Sequence, residues 1–246
     1  IPGLIIKLNL GMLVSWLLAY FVLGAAYGSI YGDMQSFLDS NELMKAMFTK
    51  TGDSLESSFT ATIMIVLAAL VVIVPILVIN KLFAEEKRER LGQLYATKVS
   101  RAKMYWWTVI LAIIAGTIGL VAAAGGLGIA ATTVMTSKTN LTLAMIVAAG
   151  MNFWPIVLFF AGLAGLILGF VPQLGKIIYL YLGYCFAISY FGGLLKLPKW
   201  VDKTSALNWP STVPLQDFDF EIFAVVALVS CLMLLLGYWG YRQRDL

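Results

Sequence analysis

Charge is confined to a few clusters in this chain, and the apolar runs between those clusters reach twenty residues or more. About 20 helical residues, at roughly 1.5 Å each, are needed to cross a hydrocarbon core about 30 Å thick. A soluble domain spreads its charge over its surface; here 61% of 246 residues are apolar and 12% charged, so the solvent is lipid. Several separate helical passes are expected. The expected fold is therefore all-α and integral to the membrane, a single transmembrane domain over 1–246 with spans at about 8–30, 58–80, 105–128, 143–169, 177–195 and 220–241.

The basic residues then orient the bundle. With the amino end in the cytoplasm, the inside segments hold eleven basic and four acidic residues, net +7, and the outside segments six basic and nine acidic, net −3. The positive-inside bias places both termini in the cytoplasm, and a bacterial plasma membrane is the expected location. It also explains the formal net charge of +4 without nucleic acid. Tyr105, Trp106 and Trp107 open the third span and Tyr238, Trp239 and Tyr241 close the sixth, where interfacial anchors belong. No charged residue sits in the middle of a span, which argues against a proton relay or a voltage sensor.

The chemistry-bearing residue types are sparse. There is no His, and Cys185 and Cys231 each lie in an apolar run and are expected to be buried thiols; neither a metal site nor a disulfide framework is supported. No catalytic residue is assigned. The chain opens on Ile1-Pro2-Gly3 and carries no signal-peptide pattern, and a piece of a longer protein is expected.

Gly24, Gly28 and Gly32 recur at four-residue spacing, as do Gly165 and Gly169, leaving bare faces for a neighbouring helix inside the bundle or at an interface with another half. In the long fourth span, Pro155 removes a backbone donor and should bend the helix. Asn152 beside it needs a partner, most simply a neighbouring helix or the backbone freed by the proline; substrate contact is the alternative. Residues 31–57 read as short amphipathic outside helices. Residues 196–219, with Pro198, Pro210, Pro214, Trp200 and Trp209, read as a compact outside cap partly dipped into the membrane. The fifth span carries Tyr179, Tyr181, Tyr184, Phe186, Tyr190 and Phe191, aromatic enough to line a path for a bulky amphipathic molecule; Tyr184, Tyr190 and Phe191, with Asn152, are the candidate path residues.

The most informative segment is the cytoplasmic loop 81–104. From Glu85 to Tyr95 it can be helical, with Glu86 and Arg90 paired at i,i+4 and Leu91, Leu94 and Tyr95 forming an apolar stripe. Ser100 can cap the next helix ahead of Arg101. Such a helix, lying along the membrane, suits a groove on a soluble partner; the alternative is a solvated loop resting on headgroups.

The run from Glu85 to Arg101, EEKRERLGQLYATKVSR, resembles the "EE…GR-E-LL-ATPVSR" loop of ABC-2 type permeases, particularly exporter permeases of the tetronasin and polyketide-antibiotic type. Lys98 stands where that pattern usually has Pro, and Tyr95 where it often has Leu. Phe37-Leu38-Asp39-Ser40 with Glu42-Leu43, then Leu197-Pro198-Lys199-Trp200-Val201 and the proline-rich stretch to Pro214, and the ending Arg242-Gln243-Arg244-Asp245-Leu246 are similar to further pieces of the family, in order. The resemblance implies the second six-span half of a larger permease, with Glu85, Glu86, Arg90, Leu91, Leu94, Tyr95 and Arg101 coupling it to a separate ABC ATP-binding subunit. ATP and magnesium would bind on that subunit; Gly175-Lys176 here has Phe170 where a P-loop needs Gly and Ile177 where it needs Ser or Thr. The implied function is export of a hydrophobic or amphipathic compound by alternating access, with another six-span half, lipid and a small-molecule substrate as partners. A non-transporting scaffold or sensor paired with an ATPase is the rival reading. A CAAX-type intramembrane protease, which the EExxxR run superficially fits, lacks its histidines.

Overall fold

The computed structural model describes residues 2–33, 55–87, 100–135, 141–195 and 198–243. It is all-helical over these residues, and six helical segments are long and apolar enough to cross a membrane. In chain order α1 is Pro2–Ser29, closed by a 3-10 turn at Ile30–Asp33; α2 is Leu55–Val71 and α3 Ile73–Lys87; α4 is Arg101–Val134. Then come α5, Leu143–Met151; α6, Trp154–Phe170; α7, Gly175–Leu195; the short α8, Lys199–Asp202; and α9, Phe220–Gln243. One end of the bundle carries Lys7, Lys81, Lys103, Lys176 and Arg242 and is called the basic end below; the other carries residues 198–219, the cap end.

Two spans are broken at proline, and only one break was anticipated. At Pro155 the chain leaves α5 through Asn152 and Phe153 and restarts as α6 with the proline in its first turn, where its missing N–H costs nothing. The second span breaks at Val72, between α2 and α3, three residues before Pro75. Pro75 cannot donate to the Val71 carbonyl. The Tyr20 hydroxyl from α1 supplies a donor there, 3.0 Å from the Leu70 carbonyl oxygen and 3.5 Å from that of Val71.

Both glycine series are used inside the bundle. A Cβ on Gly24 would lie 2.9 Å from the Leu127 amide nitrogen, and one on Gly28 2.7 Å from the Ala130 Cβ, so α1 lies directly on the backbone of α4. The same logic joins α6 to α9, where a Cβ on Gly237 would lie 2.5 Å from the Gly165 carbonyl and 2.8 Å from the Leu166 nitrogen. Lipid removes the hydrophobic drive for helices to associate, so close packing of this kind is the main force left. The second and fourth spans fill the centre of the bundle, with Val71, Val72, Ile76, Ile156, Val157 and Phe160 fully buried. By contrast α1, α7 and α9 are largely exposed to lipid or to a partner.

Several expectations need correction. The helix of the second span continues through Lys87, so the start of the segment expected as loop 81–104 is a helical extension of that span, whereas the third helix begins at Arg101, directly after Ser100, as expected. Helical propensity and the lack of a breaker carry α3 past the apolar boundary. Tyr105 and Tyr241 are not interfacial anchors: both are buried, their rings stacked at 5.6 Å, and the Tyr105 hydroxyl donates to the Leu234 carbonyl at 2.9 Å. Only Trp107 and Trp239 of those clusters are substantially exposed. Cys185 is buried, whereas Cys231 lies on the outward face of α9. Ser100 does cap α4, accepting from the Lys103 amide. The amphipathic outside segment centred on Phe37 to Phe48 lies outside the described residues.

Candidate functional site

The second and fifth spans do not close on each other. Between them lies a groove of about 290 Å³, with Val66, Leu70 and Ile73 on one wall and Tyr179, Leu182 and Phe186 on the other. The helix of the second span is interrupted at Val72, just before Pro75, and the groove lies beside this interruption, with Leu70 and Ile73 on either side of it. Gly183 leaves the middle of the α7 wall bare. The lining is almost wholly apolar, as a site for a lipophilic molecule requires.

One polar lock closes the basic end of the groove. The Asn80 side-chain amide donates to the Tyr179 hydroxyl at 2.9 Å, tying α3 to α7. A Cβ on Gly175 would lie 2.8 Å from the Asn80 Oδ1, so the start of α7 is held tightly against this side chain. Asn80 fell at the edge of the span read from sequence, where a polar residue has no special meaning. Its role is visible only once α7 is seen to pass it.

At the cap end α7 is fastened to residues 198–219. The Tyr181 hydroxyl donates to the Thr204 carbonyl at 3.0 Å, and the Tyr184 hydroxyl bonds the Thr204 hydroxyl at 2.6 Å. Ser205 donates to the Cys185 carbonyl at 3.0 Å and lies 2.8 Å from the Ser189 hydroxyl. Ser205, Ala206 and Leu207 are buried, so this segment packs closely against the helices beneath it. Asn152 binds it too: its side-chain amide donates to the Ser211 carbonyl at 2.6 Å. The partner is thus neither a neighbouring helix nor the backbone freed by Pro155, because the cap reaches down to the break in the fourth span.

The four candidate path residues are therefore divided. Asn152 packs under the cap beside Pro155, Pro210 and Phe223, away from the groove. Tyr184 is exposed and engaged with Thr204, while Tyr190 stacks on the groove residue Phe186 at 5.5 Å and touches the exposed Phe191. Of the fifth-span aromatics, Tyr179 and Phe186 line the groove itself.

Of the candidate coupling residues, Glu86 is buried at the end of α3, and Glu85 lines a small cleft of about 40 Å³ with Asn9, Lys81 and Thr108. Arg101 opens α4, half-buried. Glu86 was expected on the surface of a separate helix; it is covered because α3 runs on as the end of the second span. Arg90, Leu91, Leu94 and Tyr95 lie outside the described residues.

The family described as the C-terminal domain of the multidrug efflux system permease Rv1217c matches residues 2–242, nearly the whole chain. The chain belongs to this family. No curated protein matches it. A multidrug efflux permease domain of this kind is a multi-pass membrane protein, in keeping with the six crossings. The family agrees with the ABC-2 exporter resemblance read from residues 85–101 and from the ordered motifs elsewhere in the chain. In that setting the apolar groove between the second and fifth spans is the candidate functional site.

Proposed function

We propose that this efflux permease domain is the membrane half of an ATP-driven exporter, moving a hydrophobic or amphipathic compound outward along the groove between α2–α3 and α7. A separate ABC ATP-binding subunit holds ATP and magnesium and grips the segment between α3 and α4 from the cytoplasm. A second six-span half completes the pathway by covering the exposed side of the groove.

The observation that carries this reading is α3. A single unbroken helix has Ile73 at the groove, Asn80 at its polar lock and Glu85 and Glu86 at the edge of the coupling segment. Ile73 and Glu85 are about 18 Å apart along the axis. Packed helices transmit a push as rigid rods, and the break at Val72–Pro75 lets α3 tilt while α2 stays packed. Movement of the coupling segment would therefore widen or narrow the groove and strain the Asn80–Tyr179 bond. That is the mechanical requirement for alternating access.

The test is ATP-dependent uptake of a lipophilic dye into inside-out vesicles holding the permease with its ATP-binding subunit. Leu94→Asp should abolish uptake and drug-stimulated ATPase activity while the bundle remains folded. Absence of ATP-dependent uptake for every lipophilic compound tried, with ATPase activity intact, would favour a non-transporting sensor. Unchanged coupling in Leu94→Asp would remove the docking assignment.

A further inference from the structure

A second cavity, of about 550 Å³, lies at the cap end, between the cap and the start of α9, and shares no lining residue with the groove. Its two halves differ in chemistry. Asp202 and Lys203 from the cap, with Glu221 from the first turn of α9, form a charged half, and the Trp209 indole stands beside them. Ile222, Val225 and Val226 form an apolar half one turn further into the span. The change from charge to hydrocarbon within one helical turn places the pocket at the level where a lipid headgroup meets its chains.

The charges are also unspent. Among the described residues, neither Asp202 nor Glu221 is ion-paired with Lys203. Two carboxylates against one ammonium disfavour a headgroup that is a net anion and suit one carrying both signs. The Trp209 ring is held in place, its indole N–H donating to the Lys203 carbonyl at 2.9 Å. Below the pocket the apolar track continues along one face of α9 through Val225, Val229, Leu232 and Leu236, all exposed, at helical spacing. An acyl chain can lie along that face.

We propose that this pocket seats a zwitterionic aminophospholipid, its phosphate on Lys203, its ammonium on Glu221 and Asp202, and a chain along Ile222 and Val225. The assignment uses every charged group in the pocket and does not depend on the export reading. A bound lipid would brace the cap against α9, and through Thr204 and Ser205 it would bear on the outer part of α7.

Native mass spectrometry of the intact chain tests this. The protein is released from bilayers of equimolar phosphatidylethanolamine and phosphatidylglycerol, stripped with detergent, and its retained lipid counted. Phosphatidylethanolamine should be retained over phosphatidylglycerol. Glu221→Gln, an exposed and conservative change, should lower that retention about threefold, and the Asp202→Asn/Glu221→Gln pair about tenfold. Lys203→Ala should weaken it as well. Equal retention of the two lipids, or phosphatidylethanolamine retention unaltered in the double variant, would overturn the proposal. So would displacement of the lipid by tetraphenylphosphonium whose binding needs both carboxylates but not Lys203, which would make the pocket a site for organic cations.

Discussion

Removing one oxygen atom, by Tyr20→Phe, tests whether the break in the second span is held by α1. Tyr20 is buried, its ring packs over Gly119, and its hydroxyl lies 3.0 Å from the Leu70 carbonyl oxygen and 3.5 Å from that of Val71, the carbonyl to which Pro75 cannot donate. Phenylalanine keeps the ring and its packing, so the change isolates the hydrogen bond. Interhelical hydrogen bonds in membranes average about 0.6 kcal/mol and reach about 1.7. Here the bond serves two adjacent carbonyls at a point that water does not reach, so a loss of about 1 kcal/mol is expected. The Pro75→Ala background supplies the control. Alanine restores an N–H for the Val71 carbonyl, and in that background Tyr20→Phe should cost less than about half as much. Steric-trap unfolding in bilayers measures both losses. A cost below about 0.3 kcal/mol in the native background, or an equal cost in both, would refute the idea that Tyr20 and Pro75 act as one unit.

Gly237→Ala should destabilise the domain by about 1 to 3 kcal/mol, because the new Cβ would lie 2.5 Å from Gly165 backbone that cannot move aside; unfolding of the variant in the same assay checks this, and near-native stability would mean α6 and α9 separate freely. Asn152→Leu should release the cap from the fourth span, at a cost of about 1 kcal/mol, and speed proteolysis near Ser211 without altering the helical circular dichroism. Gly183→Trp should block the groove and abolish dye uptake with little loss of stability, since a Cβ at Gly183 meets nothing within 4 Å; undiminished uptake would place the path elsewhere. Asn80→Leu should unlock the basic end of α7 and change basal ATPase activity of the complex, whereas Asn80→Gln should partly restore it.

How much was legible beforehand varies with the range of the interaction. The six crossings, the break at Pro155 and the Ser100 helix cap depend on neighbours within a turn or two, and each is readable as a local pattern. The glycine spacings announced close helix contacts but not the identity of the contacting helices. The groove was harder. Tyr179 and Phe186 stood in an aromatic list with nothing to separate them from Tyr184 or Phe191, because which face of α7 meets α2 is a tertiary fact. Pro75 lies in an otherwise apolar run, and Tyr20, fifty residues before its acceptor, offers no local sign of a partner. Glu86 appeared to be a surface charge only while the end of its helix was placed too early.

The amino-acid sequence alone determined that this chain lives in lipid, how many times it crosses, and which class of permease it resembles. Those properties follow from the hydrophobic length of each segment and the placement of charge, which are additive along the chain. Only the tertiary structure decided that α1 lies on α4, that the cap reaches Asn152, and that the second and fifth spans part to leave a groove. In lipid all apolar faces are nearly equivalent to the solvent, so shape complementarity and a few hydrogen bonds choose which helices meet, and neither is written in the periodicity of a single segment.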